Sequence, residues 1–202
     1  MSFFENTRKP VGFGGKVMVA MMNSGHGAMA DWGFQHITIP DDACALDVGC
    51  GGGANIKKLL SKCPNGVVKG IDYSEVSVKK SRKLNAKEIA AGRCDVLQAS
   101  VAEISFSDNT FDLVTAFETI YFWPGLAECF REVRRVIKPG GTFFICNESN
   151  GETNKDDKWV EKVGGMTIYT AAQILTALGQ AGFSDGHVTR NDKGWICVTA
   201  RK

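Results

Sequence analysis

The sequence predicts an α/β fold: a doubly wound, seven-stranded, mostly parallel sheet that closes with a C-terminal antiparallel hairpin. Three observations carry this. From Cys44 onward, short apolar runs alternate with stretches of helical period, the pattern of a parallel sheet covered by helices on both faces. Turn residues fall between them, at Pro64-Asn65-Gly66, Asp108-Asn109, Lys138-Pro139-Gly140-Gly141 and Gly182, where chain reversals need them. The last two apolar runs are separated only by Asn191-Asp192-Lys193-Gly194, a hairpin signal rather than a crossover.

In chain order, residues 1–14 carry Phe3, Phe4 and several glycines without a clear period. Lys16 to about Trp32 reads as one or two helices broken near Gly25-His26-Gly27. This segment is rich in methionine (Met18, Met21, Met22 and Met29), a side chain that adapts to varied apolar surfaces. Residues 1–40 are therefore expected to form a helical lid or cap, with 10–33 over the active site; the other reading is a helix packed on the sheet. Residues 41–202 are expected to form the main domain. Its strands are expected at Cys44–Val48, Val67–Ile71, Cys94–Gln98, Phe111–Ala116, Thr142–Cys146, His187–Arg190 and Trp195–Ala200. Its helices are expected at 54–63, 74–91, 125–137 and 169–181, with 147–168 as the one long polar connection.

A length of 202 residues suits one domain with a real core. The formal charge of +2 gives no argument for nucleic acid or membrane. No apolar run approaches membrane-spanning length, and the start of the chain does not read as a secretory signal. Seven cysteines without paired spacing point to a reducing, cytoplasmic setting. No Cys-x-x-Cys or histidine cluster appears, so no structural metal is expected. The basic run Lys79, Lys80, Arg82, Lys83 and Lys87 lies on one long predicted helix and reads as a solvated face.

Function concentrates at Ala45-Leu-Asp-Val-Gly-Cys-Gly-Gly-Gly-Ala-Asn-Ile56. A buried strand runs into a glycine-dense turn and then a helix, which brings backbone N–H groups and a helix N-terminus close to a ligand. Gly49, Gly51 and Ala54 satisfy the G-x-G-x-x-A dinucleotide fingerprint, so an NAD-dependent oxidoreductase is one alternative. Asp47, two residues before the first glycine, favours a partly cationic ligand instead. S-adenosylmethionine (SAM), with its ammonium and sulfonium, fits that better than a pyrophosphate. Asp47 has a second reading, as an acceptor for the turn's own N–H groups. Cys50 fits the turn as a small residue. Asp72 ends the second strand at the distance where an acidic residue meets ribose hydroxyls.

The order of motifs resembles the class I SAM-dependent methyltransferases, most of all the small-molecule group that includes the ubiquinone and menaquinone biosynthesis enzymes. The resemblance rests on Leu-Asp-Val-Gly-Cys-Gly-Gly-Gly (46–53), Gly-Ile-Asp-Tyr-Ser (70–74), Ser-Val-Ala-Glu-Ile-Ser-Phe (100–106), Asp-Asn-Thr-Phe-Asp-Leu-Val (108–114) and Arg-Val-Ile-Lys-Pro-Gly-Gly (135–141). It implies a Rossmann-like methyltransferase fold, SAM as cofactor and a small-molecule acceptor. It implies that Gly49, Cys50 and Gly51 hold the methionine part of SAM, with Asp47 near its ammonium. Asp72 would take the ribose, Tyr73 would lie against adenine, and the Val101 N–H would meet the adenine edge. Ser100 stands where the family often has an acid, which weakens that contact. Phe117 and Glu118 would lie at the rim where cofactor and acceptor meet, with Tyr121 and Trp123 completing an aromatic loop. If the acceptor needs a general base, the candidates are Glu118, His26, Tyr121 and His36, though His36, like His187, reads as structural. A SAM-binding sensor without transferase activity shares every cofactor residue and stays open. The segment after the fourth strand lacks the Asn/Asp-Pro-Pro-aromatic sequence of amino-methylating DNA enzymes, so a small, largely apolar acceptor is favoured by elimination.

Overall fold

The computed structural model describes residues 26–152, 160–161 and 163–202, together with Gly12 and Gly14. Most of the expected cap, including Phe3, Phe4, Met18, Met21 and Met22, and much of the polar connection lie outside the described residues.

Seven strands form a single sheet: β1 (Cys44–Val48), β2 (Val67–Asp72), β3 (Cys94–Gln98), β4 (Phe111–Phe117), β5 (Ile137–Asn147), β6 (Ser184–Arg190) and β7 (Ile196–Arg201). Their order across the sheet is β3-β2-β1-β4-β5-β7-β6. The first five are parallel neighbours, while β7 runs antiparallel to both β5 and β6. This is the fold expected from the sequence. The chain moves outward from β1 to β3 and then returns to β4 on the other side of β1. A crevice opens at the carboxyl ends of β1 and β4, the switch point where open α/β sheets take their ligands.

The period-two alternation of strand side chains separates two cores. Phe144 and Cys146 face one side with Met29, Ile56, Leu59 and Val78. Phe143 and Ile145 face the other with Phe130, Val133, Ile174 and Leu178. The first side is covered by α1 (Gly27–Gly33), α2 (Ala54–Lys62) and α3 (Glu75–Leu84), the second by α5 (Leu126–Val136) and α6 (Ala171–Gln180), with the short α4 (Ala86–Ala90) beside β3. The helix α6 begins with a capping box, in which the Thr170 hydroxyl accepts from the Gln173 N–H and the Gln173 side chain accepts from the Thr170 N–H.

Three elements differ from the sequence expectation. The helix expected over 74–91 is two helices divided at Asn85. The Asn85 amide is buried and donates to the carbonyls of Gly53 and Ser81, at 3.2 and 3.0 Å. A side chain that serves the glycine turn thus sits where a helix would otherwise run on. Strand β5 starts at Ile137 rather than 142, because Ile137 pairs with Phe111 before a register shift; the Lys138–Gly141 turn becomes an irregularity inside the strand. Strand β6 starts at Ser184, three residues early, with its own shift before His187.

Candidate functional site

The glycine turn lies between β1 and α2. Gly49 and Cys50 both donate their N–H to the Ile71 carbonyl, at 2.8 and 3.0 Å, which ties the turn to β2. Two glycines are required by space as well as by backbone. Gly49 has φ +70°, and a Cβ there would lie 2.1 Å from Thr119 Oγ1. Gly53, the N-cap of α2, has φ +82°, and its Cβ would lie 2.3 Å from Ser81 Oγ. Such φ values cost a residue with a side chain about 1–2 kcal/mol before any clash.

Asp72 sits at the end of β2 and holds the turn. Its Oδ2 accepts the Gly51 N–H at 2.9 Å and its Oδ1 accepts the Ser74 N–H at 2.8 Å. The Ser77 side chain bonds to it as well; a carboxylate has about four acceptor sites, so about one remains for a ligand. Burial raises its pKa, and the Ser74 and Gly51 N–H groups offset part of that.

Asp47 lies deeper. It is buried in β1 between Gly70 of β2 and Thr115 of β4. The Thr115 hydroxyl donates to its Oδ1 at 2.7 Å. Burial pushes its carboxyl up to about 7; Thr115 works against the shift and Asp72 adds to it. The turn's N–H groups thus go to the Ile71 carbonyl (Gly49, Cys50) and to Asp72 (Gly51), whereas Asp47 bonds to Thr115.

One cavity of about 370 Å³ opens along the turn and the ends of β1, β2 and β4, within the range of small-molecule sites. Of the residues singled out from the sequence, Gly49, Cys50, Gly51, Asp72, Tyr73, Ser100, Val101, Phe117, Glu118 and His26 line it. Asp47 and Tyr121 do not: both are buried behind the wall. The Cys50 thiol is held well above its usual pKa by burial, with Asp72 and Asp47 adding to the shift, so it is no nucleophile. Ser100 Oγ accepts the Ala102 N–H at 3.2 Å. Phe117 packs against Phe34 and Phe144, with ring centroids 5.0 and 5.6 Å away.

The polar part of the wall gathers around Glu118, a non-glycine residue at φ +56° directly after β4. Its Oε1 accepts from the Tyr121 hydroxyl at 2.9 Å and from the Glu148 N–H. Its Oε2 faces His26 Nδ1 at 3.8 Å, and the same nitrogen lies 3.2 Å from Glu148 Oε1. That approach is an ion-pair distance without hydrogen-bond alignment, since Nδ1 is buried with no directed partner. Burial drives the Glu118 carboxyl up to about 7, although His26, the Glu148 N–H and Tyr121 pull it down. Burial opposes a charge on His26, but Glu148 and Glu118 outweigh it and its pKa is raised. Tyr121 thus bonds to Glu118 and does not face the cavity.

Several wall residues carried no sequence signal of their own. Thr119 fills the space that Gly49 leaves and accepts from Trp123 Nε1 at 3.3 Å. Phe122 and Pro124 join Trp123, which the sequence places in the aromatic loop, to give the cavity an apolar, aromatic side. Lys58 lines it too and ties α2 to α1, donating to the Gly27 carbonyl at 2.9 Å and to Asp31 at 2.6 Å. Glu148, which bonds to Glu118 without lining the cavity, was hidden in the polar connection; an acid just past a strand end was its only cue. His36 lies against Trp32, with ring centroids 4.8 Å apart, and does not line the cavity.

Comparison with known proteins agrees with this geometry. The family model described as a methyltransferase domain matches residues 46–145, from β1 through most of β5. Cycloartenol-C-24-methyltransferase 1 of Oryza sativa subsp. japonica is 34% identical over 68% of this chain and 42% of its own length. A sterol 24-C-methyltransferase of Neurospora crassa is 27% identical over 77% of this chain and 44% of its own. The chain thus spans less than half the length of these curated relatives. Among solved structures, a SAM-dependent methyltransferase from Aquifex aeolicus superposes with a TM-score of 0.75 at 20% identity, covering 92% of this chain and 97% of that one. A methyltransferase solved with the Haloferax volcanii Trm112 activator gives 0.79 at 18% identity, covering 92% and 96%. Glycine turn, Asp72, sheet order and family match converge: this chain belongs to the class I SAM-dependent methyltransferases.

Proposed function

We propose that this chain transfers a methyl group from SAM to a small, largely apolar acceptor. The observation that carries the reading is a single cavity that joins the glycine turn and Asp72 to an aromatic wall. SAM supplies a methyl group already activated by positive sulfur, displaced in line by the acceptor. The protein's part is to bind, orient and exclude water. Asp72 has an acceptor site left for a ribose hydroxyl. Tyr73, Ser100 and Val101 flank the adenine, and the Gly49–Gly53 turn takes the methionine part. Asp47 acts on the ammonium from behind the turn. Phe117, Phe122 and Trp123 offer ring faces to a sulfonium, worth about 0.5–2 kcal/mol each. Orientation alone supplies roughly 7–11 kcal/mol of such a barrier. Glu118, His26 and Tyr121 form the polar side at which the acceptor's oxygen or proton is handled.

An apolar acceptor is supported by the aromatic wall and by the sterol-methylating names of the two relatives. The seven cysteines without paired spacing support a reducing, cytoplasmic setting. The test is transfer of labelled methyl from SAM to a panel of sterols, quinols, phenols and amines. Label on an apolar acceptor is expected. SAM binding without label on any acceptor would overturn the transferase reading in favour of a sensor.

A further inference from the structure

His26 and Glu118, which both line the cavity, meet a third ligand-capable residue, Glu148, which does not. His26 precedes α1, Glu118 follows β4 and Glu148 follows β5. One ligand-capable atom from each lies within 4.8 Å of the other two. An ion held at about 2.1 Å by nitrogen and oxygen ligands separates adjacent donors by roughly 3 Å and opposite donors by roughly 4 Å. The two distances from His26, 3.2 Å from Nδ1 to Glu148 Oε1 and 3.8 Å to Glu118 Oε2, fall within that frame, and the two carboxylates, within 4.8 Å of each other, need only a small side-chain adjustment to join it.

Three further features point to an ion rather than to a closed hydrogen-bond network. His26 Nδ1 is buried and has no directed partner, although two carboxylates surround it; buried polar atoms are rarely left so. Glu118 uses Oε1 for both of its donors, Tyr121 and the Glu148 N–H, which leaves Oε2 open towards His26. An outer partner fixing one oxygen while the other stays open is how ligating carboxylates are oriented. Last, no lysine or arginine pairs with either carboxylate among the described residues. Two carboxyl groups therefore meet a single imidazole.

We propose that His26, Glu118 and Glu148 bind one divalent cation of the Mn²⁺ class, whose remaining positions face the cavity. The donor set of one imidazole and two carboxylates suits such ions. Three protein ligands leave positions for a hydroxyl or carboxylate oxygen of an acceptor. That role towards the acceptor rests on the methyl-transfer reading; the ion site itself does not. Sequence could not show it, because the ligands lie 92 and 30 positions apart, at 26, 118 and 148.

The test is Mn²⁺ titration of the purified full chain, freed of metal by a chelator, with free ion followed by electron paramagnetic resonance. SAM affinity is measured calorimetrically on the same samples. Wild type is expected to bind one Mn²⁺ per chain. Glu148→Gln is expected to weaken this at least tenfold, while SAM affinity, which does not involve Glu148, stays within twofold and reports an intact fold. His26→Ala is the second variant, should Glu148→Gln not fold, and is expected to weaken Mn²⁺ binding equally. No saturable Mn²⁺ binding up to millimolar concentration, or binding that survives both substitutions, overturns the proposal. Mn²⁺ binding without SAM binding would leave the ion site standing and remove the cofactor assignment; the reverse pattern would do the opposite.

Discussion

Replacing Gly49 by alanine tests whether the turn is shaped by the close approach of Thr119. The backbone at Gly49 has φ +70°, which costs a side-chain-bearing residue about 1–2 kcal/mol. The new Cβ would stand 2.1 Å from Thr119 Oγ1 and 2.8 Å from Thr119 Cβ, so Thr119 must move. Moving it gives up the bond from Trp123 Nε1, about 0.5–1.5 kcal/mol. Residual overpacking adds roughly 1–3 kcal/mol. The sum, about 3–6 kcal/mol, is a large part of the 5–15 kcal/mol that holds an ordinary domain together. Urea unfolding of Gly49→Ala against wild type reads this directly. In a Thr119→Ala background, Oγ1 and Cγ2 are gone but the φ penalty and the Cβ contact remain, so the cost should fall by about 1–2 kcal/mol, a coupling typical of touching residues. A cost below about 1 kcal/mol, or no coupling to Thr119, would refute the reasoning.

Three further predictions follow from neighbouring features. Burial holds the Asp47 carboxyl at about 7, above its unfolded value near 4. Its stability contribution is therefore complete below about pH 4 and lost as pH rises to about 7. Asp47→Asn should flatten the loss of stability between pH 4 and 7 by up to a few kcal/mol, leaving the part due to Glu118, which titrates in the same window; unfolding curves of equal pH slope would contradict this. Ser100→Asp keeps an acceptor for the Ala102 N–H and offers a charged one to the adenine amino group. SAM affinity by calorimetry should rise about three- to tenfold, and a fall would remove Ser100 from the adenine edge. Lys58→Ala cuts the ties to Gly27 and Asp31. Hydrogen exchange in α1 should quicken while global stability moves by less than about 1 kcal/mol; unchanged protection of α1 would mean that Met29 and Ala30 alone hold it.

The sheet was legible because its signals are local: apolar strands, turn residues and a four-residue hairpin turn each speak for themselves. Asn85 was not, since its helix-breaking role depends on Gly53, 32 positions earlier. The turn and Asp72 were legible for the same reason as the strands, with glycines and an acid at fixed offsets from strand ends. Asp47 shows the limit of that reasoning. Its place before the glycines is visible in sequence, but side-chain direction is set by the pairing of β1 with β4, which aims it at Thr115. Tyr121 likewise reads as a wall aromatic, yet it lies behind Glu118. Glu148 was missed because its value comes only from contact with Glu118 and His26 across three segments.

The central claim is that the turn and Asp72 form a SAM site. It is tested most directly by calorimetric titration of wild type and Asp72→Asn with SAM, S-adenosylhomocysteine and NAD. The amide keeps the shape but loses the charge that serves Gly51, Ser74 and the ribose, and each bond to a charged acceptor is worth about 1.5–3 kcal/mol. Wild type should bind both adenosyl ligands and not NAD, and Asp72→Asn should bind them at least tenfold more weakly. Adenosyl affinity that is unchanged in the variant, or NAD binding in preference to SAM, would contradict the account.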